Sequence, residues 1–156
     1  MKTIDQINFK NKKTLVRVDY NVPLNEKGEV EGTMRIDRTV PTIKKIVNDG
    51  GIAILMSHLG RPKGSVVPEM SLHHITSAVS EIMGQDVYFL GDVLDEKVEE
   101  KINALKPGSI GILENIRFHK EETDGDIEFA KRIASLGDLY VNDAFGAAHR
   151  AHASTA

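Results

Sequence analysis

The feature that most constrains the fold is a rhythm. Short apolar runs, each too compact for a helix, alternate with longer segments whose apolar residues recur at steps of three and four. The runs are TLVRV at 14–18, IAILM at 52–56, VYFL at 87–90, IGIL at 110–113 and LYV at 139–141, and each reads as a buried strand. Between them, Val40, Ile43, Ile46 and Val47 form a helical stripe that ends at Gly50 and Gly51. Leu72, Ile75, Val79 and Ile82 form another, with Ser71 placed to cap its start and Gly84 after its end. Val98, Ile102 and Leu105 repeat before Pro107-Gly108, and Phe129, Ile133 and Leu136 do so before Gly137. Strands alternating with helices imply right-handed crossovers, so the expected fold class is α/β: an open, doubly wound parallel sheet, Rossmann-like, with helices on both faces. The segment NVPLNEKGEVEG at 21–32 interrupts the rhythm and reads as a polar excursion or small hairpin.

Composition excludes several classes. The 156 residues, 40% of them hydrophobic, supply one core. With no cysteine there is no disulfide framework, thiolate zinc site or cysteine nucleophile, and a reducing, cytoplasmic location fits. The start, MKTIDQINFKNKK, lacks the apolar core of a signal peptide, and no apolar run approaches the ~20 residues needed to span a bilayer. A soluble, unprocessed protein is expected. Lys and Arg number 20 against 23 Asp and Glu, a net charge of -3, so neither nucleic acid nor membrane is an expected partner and any anion site must be local.

In open α/β sheets ligands sit beyond the carboxyl ends of the strands. The first run is followed by Asp19-Tyr20-Asn21, the second by SHLGRPKG with His58 and Arg61, the fourth by ENIRFH with Arg117, and the fifth by NDAFGAAHR with Arg150. The third delivers only GDV. Arg35 precedes the first crossover helix and is placed to reach the same rim. For one arginine alone, solvation or pairing with a neighbouring carboxylate is the simpler account. Cationic groups at several equivalent strand ends favour a small, highly charged anion, because the guanidinium fork binds phosphate or carboxylate bidentately. Asp19 and Asn21 are poor phosphate ligands but good hydroxyl readers, and together these residues describe a phosphorylated hydroxy acid.

Other motifs fail. His73 and His74 are adjacent on a helix and face different directions, so no metal site is expected there. The stretch from Asp19 to Val30 begins like a calcium loop but has Leu24 where glycine is needed and Val30 where the bidentate glutamate belongs. GRPKGS lacks the order of a phosphate-binding loop, and no G-x-G-x-x-G follows the first run. The acidic EKVEEK at 96–101 reads as the wet face of its helix.

RVDYNVPL (17–24), RIDRTVPTI (35–43), MSHLGRPKG (56–64), ILENIRFHKEE (112–122) and YVNDAFGAAHRAHAS (140–154) resemble, in order and spacing, the successive signature blocks of phosphoglycerate kinase. The resemblance covers nearly the whole chain. It implies that Asp19 and Asn21 read the hydroxyl and carboxyl end of the substrate, and that His58, Arg61, Arg117 and Arg150 hold its distant phosphate. Arg35 is similar to the family's arginine that contacts the carboxyl end and steadies the transferring phosphoryl group, the catalytic role. The implied partners are 3-phosphoglycerate and 1,3-bisphosphoglycerate, with ADP or ATP and Mg2+ bound by a second α/β domain of the family that lies outside residues 1–156. Residues 1–156 are then an incomplete N-terminal substrate-binding domain, expected to bind no cofactor and to be inactive alone, while the full-length enzyme is expected to be a monomer. The resemblance places the domain's sixth strand outside the chain too, so the strand at 139–141 is expected to have one unpaired side. Departures are Tyr20 where Phe is usual, Ile116 for the commoner Leu, and Ala147 where Thr is often found. Two rival readings are a non-enzymatic anion-binding α/β module and a phospho-acceptor signalling domain. The latter needs clustered acidic residues after the first run and a lysine after the last, where this chain has Asp19 alone and Arg150.

Overall fold

A computed structural model describes residues 2–60, 62, 64–119, 127–144 and 152–155. In chain order the elements are β1 (Lys2–Thr3), β2 (Lys13–Val18), α1 (Met34–Asp37), α2 (Val40–Asn48), β3 (Ile52–Met56), α3 (His73–Met83), β4 (Val87–Gly91), α4 (Val98–Asn103), β5 (Ile110–Leu113), α5 (Ile127–Ala134), β6 (Leu139–Asp143) and β7 (His152–Thr155). All five apolar runs are strands, and the four helical stripes centre on α2, α3, α4 and α5, with Leu72, Leu105 and Leu136 just beyond the helix bounds. The strands form one sheet in the order β1-β7-β6-β2-β3-β5-β4. β6, β2, β3, β5 and β4 are mutually parallel.

The sheet is covered on both faces because its middle strands are apolar on both. Every residue of β3 and β5 is buried. Successive side chains of a strand point to opposite faces, and the packing follows. Ala53 and Leu55 join one cluster with Ile43 and Ile46 of α2 and Ile75 and Val79 of α3. Ile52, Ile54 and Met56 join the other with Val98 and Ile102 of α4 and Phe129 and Ile133 of α5. The chain steps from β2 through β3 to β4 in one direction across the sheet and returns through β5 to β6. Right-handed crossovers in opposite directions place their helices on opposite faces, so the doubly wound expectation holds.

Gly84 ends α3 in the left-handed region at φ 72°, as expected, but the residue capping the start is Leu72 rather than Ser71. Ser71 stands one residue earlier, its Oγ accepting from the His73 amide at 3.1 Å. Residues 21–32 contain a small hairpin, with Leu24 bridged to Val30. Among the described residues, no helix is long and apolar enough to cross a membrane.

One expectation is corrected. The outer side of β6 is not bare, because β7 pairs antiparallel along it, from Leu139 opposite Thr155 to Asn142 opposite His152, and β1 pairs with β7 in turn. The reason is hydrogen-bond satisfaction: a strand of this apolar type exposes costly N–H and C=O groups at an edge, and the chain's own segment 152–155 supplies partners.

The turn from α2 into β3 leaves no room for a side chain at Gly51, where an added Cβ would lie 2.5 Å from Phe9 O and 3.0 Å from Ile46 O. Both obstacles are backbone. Gly51→Ala is expected to destabilise the chain by about 1 to 3 kcal/mol, read as a lower urea midpoint. Gly84→Ala meets nothing within 4 Å and incurs only left-handed strain of about 1 kcal/mol. A Gly51→Ala variant as stable as wild type would refute the tight approach.

Candidate functional site

The parallel strands send their carboxyl ends to one rim, and buried polar groups lock the loops that leave it. At the end of β2 the Tyr20 amide donates to Ser57 Oγ at 3.0 Å, tying that strand to the end of β3. Asn21 Oδ1 accepts from the Gly60 amide at 2.8 Å, so the β2 and β3 loops are bonded a second time. Asp19 Oδ1 accepts from the Asn21 amide at 3.2 Å. Arg35, delivered by α1, donates from Nη1 to Asp19 Oδ1 at 3.0 Å and to Asn21 O at 2.9 Å. Asp19, Asn21 and Arg35 are therefore one cluster, as the sequence led us to expect. Their side chains remain accessible, with Arg35 48% and Asp19 37% exposed, so the ion pair adds little to stability and its groups are within reach of a solute.

The other half of the rim is built by β3 and β5. His58 lies two residues past the end of β3 and is half-buried. Asn115 is buried, and its Nδ2 donates to Leu59 O at 2.8 Å and to Met70 O at 2.9 Å. Its Oδ1 accepts from the Arg117 amide at 3.0 Å, capping the short turn Ile116–Phe118. Glu114 adds a second brace, accepting from the Leu72 amide at 2.8 Å and from Ser71 Oγ at 2.6 Å. Arg117 emerges from this frame half-buried. Its Nε is fully buried and has no hydrogen-bond partner among the described residues, an uncommon state for a buried donor. Arg61, Arg150 and Ala147 lie outside the described residues.

Sequence reasoning missed the braces. Ser57, Glu114 and Asn115 appear in it only as letters in loops after strands, because a brace is defined by the distant backbone it bonds. It also took the end of the third strand as empty, whereas both Asp92 oxygens lie 2.8 Å from His119 Nε2. The adjacent histidines are engaged structurally: His73 packs edge-on to Phe89 with centroids 4.9 Å apart, and His74 Nε2 lies 2.9 Å from Pro68 O. Among the described residues no group of three or more His, Asp or Glu is placed to hold a metal ion.

Behind the rim lies a buried polar layer. Asp143, at the end of β6, is only 9% exposed, and burial pushes its carboxyl up to about 6, partly opposed by the Thr42 hydroxyl. Its Oδ2 has no partner among the described residues. Tyr20 is fully buried with its hydroxyl 2.6 Å from Thr39 Oγ1. Burial holds that phenol well above its ordinary range, the Thr39 bond opposes the shift, and the Asp143 charge adds to it.

An open sheet with a parallel centre, Asp19, Asn21 and Arg35 clustered at the end of β2, and a half-buried arginine two strands away defines an α/β domain of the kind whose ligand sites lie at the carboxyl edge. A family model described as phosphoglycerate kinase matches residues 4–156, and the chain belongs to the phosphoglycerate kinase family. It is 51% identical over 154 residues to a phosphoglycerate kinase of Chloroherpeton thalassium, which covers 99% of this chain and 38% of that protein. It is 50% identical to one of Chlorobium phaeobacteroides, with 99% and 39% covered. Among solved structures it resembles phosphoglycerate kinase from Pyrococcus horikoshii, with a TM-score of 0.81 at 30% identity over 96% of this chain and 38% of that one. The enzyme from Coxiella burnetii gives 0.78 at 35% identity, covering 94% and 36%. The chain thus spans less than two-fifths of the length of these relatives.

Asp143 makes stability depend on pH in a definite direction. Its folded value of about 6 lies above the ordinary 3.8, so the folded chain holds this proton more tightly than the unfolded chain. Stability therefore falls as pH rises through that window and is fully reduced above it. Asp143→Asn is expected to be more stable than wild type at pH 7, by up to about 3 kcal/mol, with the two converging below pH ~4. Urea titrations across that range check it, and parallel profiles would refute it.

Proposed function

We propose that this chain supplies the phosphoglycerate-binding half of a kinase that reversibly transfers the acyl phosphate of 1,3-bisphosphoglycerate to ADP, giving 3-phosphoglycerate and ATP. Family membership supports the reaction. The single observation that carries the site is the buried Nε of Arg117, without a hydrogen-bond partner among the described residues, at the same rim as the Asp19, Asn21 and Arg35 cluster. β2 and β5 flank β3, so their ends stand on the order of 10 Å apart, a span that a three-carbon acid with a terminal phosphate fits. In this reading Asp19 and Asn21 take the hydroxyl and carboxyl end. Arg117 takes the far phosphate with His58, Arg61 and Arg150.

Arg35 has a separate role. Anchored by Nη1 to the floor of the cluster, its guanidinium meets the negative charge of the phosphoryl group in transfer. Such transfer needs positioning and charge stabilisation rather than a base or covalent nucleophile. In this reading the nucleotide and its Mg2+ are bound by residues outside this chain, which holds only the phosphoglycerate side.

Calorimetry of the folded chain with 3-phosphoglycerate is expected to show weak, salt-sensitive binding. Arg117→Ala should weaken it roughly ten-fold or more, and Arg117→Lys should not restore it, because a point charge cannot reproduce the fork. No heat at millimolar ligand from a folded sample would count against the site. The chain alone should show no phosphoryl transfer in a coupled assay with ADP or ATP. Turnover that survives removal of any contaminating kinase would show that the nucleotide side is carried here as well.

A further inference from the structure

We propose that the Tyr20 hydroxyl is a positioning group: by donating to Thr39 Oγ1 it holds α1, and with it Arg35, against Asp19 and Asn21. For its effect on ligand this rests on the proposed phosphoglycerate site; for its effect on Arg35 it rests on geometry alone.

Arg35 sits in a helix of four residues, Met34–Asp37, too short to persist by its own hydrogen bonds. Something tertiary must hold it. Ile36 is buried on one side of Arg35, and the polar tie lies at Thr39. The Thr39 hydroxyl donates to Ile36 O at 2.8 Å, which uses its single proton. At 2.6 Å the Tyr20 hydroxyl must therefore be the donor of the pair. The raised titration of Tyr20 keeps that proton in place across the physiological range.

The bonds close a ring. Tyr20 reaches Thr39, Thr39 reaches Ile36 O beside Arg35, and Arg35 reaches back to Asp19 Oδ1 and Asn21 O, the two residues that flank Tyr20 in sequence. Burial does not require the hydroxyl, since a phenylalanine ring would occupy the same space. Without it Thr39 still donates to Ile36 O, so the global fold loses little and the loss falls on the placement of α1.

Hydrogen exchange on wild type and Tyr20→Phe tests this without ligand. The amides of Arg38 and Thr39, bonded to Met34 O and Ile36 O, should exchange about ten-fold faster in the variant, while those of residues 53–55 keep their rates. Thr39→Ser should retain protection and Thr39→Val should lose it. Unchanged rates at 38 and 39, or equal acceleration at 53–55, would overturn the proposal. Calorimetry adds the ligand arm. Tyr20→Phe should bind 3-phosphoglycerate about three- to ten-fold more weakly, with no further loss when it is added to Arg35→Ala. Equal affinity of Tyr20→Phe and wild type, or an undiminished loss in the Arg35→Ala background, would also overturn it. A wild-type chain that binds no 3-phosphoglycerate would sink the reading of the rim, and the exchange rates would still decide whether Tyr20 holds α1.

Discussion

Everything in this structure depends on burying β3 on both faces. A strand with no polar residue on either side cannot be half-covered, so helices must pack on both, and each fully buried Ile or Leu removed from water is worth about 1.5 to 3 kcal/mol. Covering both faces forces the crossovers to run in opposite directions. The loop after β3 then leads to α3 on one face while the loop after β5 leads to α5 on the other. In open α/β sheets such diverging strand ends border the ligand-binding crevice, and the candidate site residues stand there.

A crevice between loops is only as exact as the loops are fixed. Here the side chains divide into two sets by burial. Ser57, Asn115 and Thr39 are buried and spend their hydrogen bonds on backbone, Thr39 also on the Tyr20 hydroxyl. Asp19, Arg35 and Arg117 are accessible or half-buried and stand on the frame those groups hold. Removing a buried brace leaves carbonyls unsatisfied at about 1 to 3 kcal/mol each, whereas the exposed Asp19–Arg35 pair is cheap to open. Rigid placement is therefore concentrated in the buried residues, and chemical reach in accessible residues that add little to the fold. Asp143 belongs to neither set. It is a buried carboxyl without a full complement of partners among the described residues, and stability falls as it ionises.

Much of this was legible in the chain. The strands and helices could be read because the spacing of apolar residues is a local property: alternation in two-faced burial gives short continuous runs, and one-faced burial gives steps of three and four. The carboxyl end of α3 was legible for the same reason, since a left-handed glycine acts on its own turn; the start falls at Leu72, one residue past the serine expected to cap it. Placing Asp19, Asn21, His58 and Arg117 at one rim needed only the further rule that parallel strands share a carboxyl edge. The expected bare side of β6 failed because pairing of 139–142 with 152–155 depends on register between segments, which no local pattern encodes.

The sequence by itself determined the class of fold, the number of parallel strands in its centre and which strand ends carry polar and cationic groups, since these follow from side-chain period and chain direction. Tertiary structure alone decided the order of the strands, the antiparallel addition of β7, the braces at Ser57, Glu114 and Asn115, and the bond from Tyr20 to Thr39. Each of these is a contact between residues distant in the chain, fixed by how two packed layers meet. A tyrosine in a run of letters is an aromatic residue; only its 2.6 Å approach to Thr39 makes its hydroxyl a part of the site.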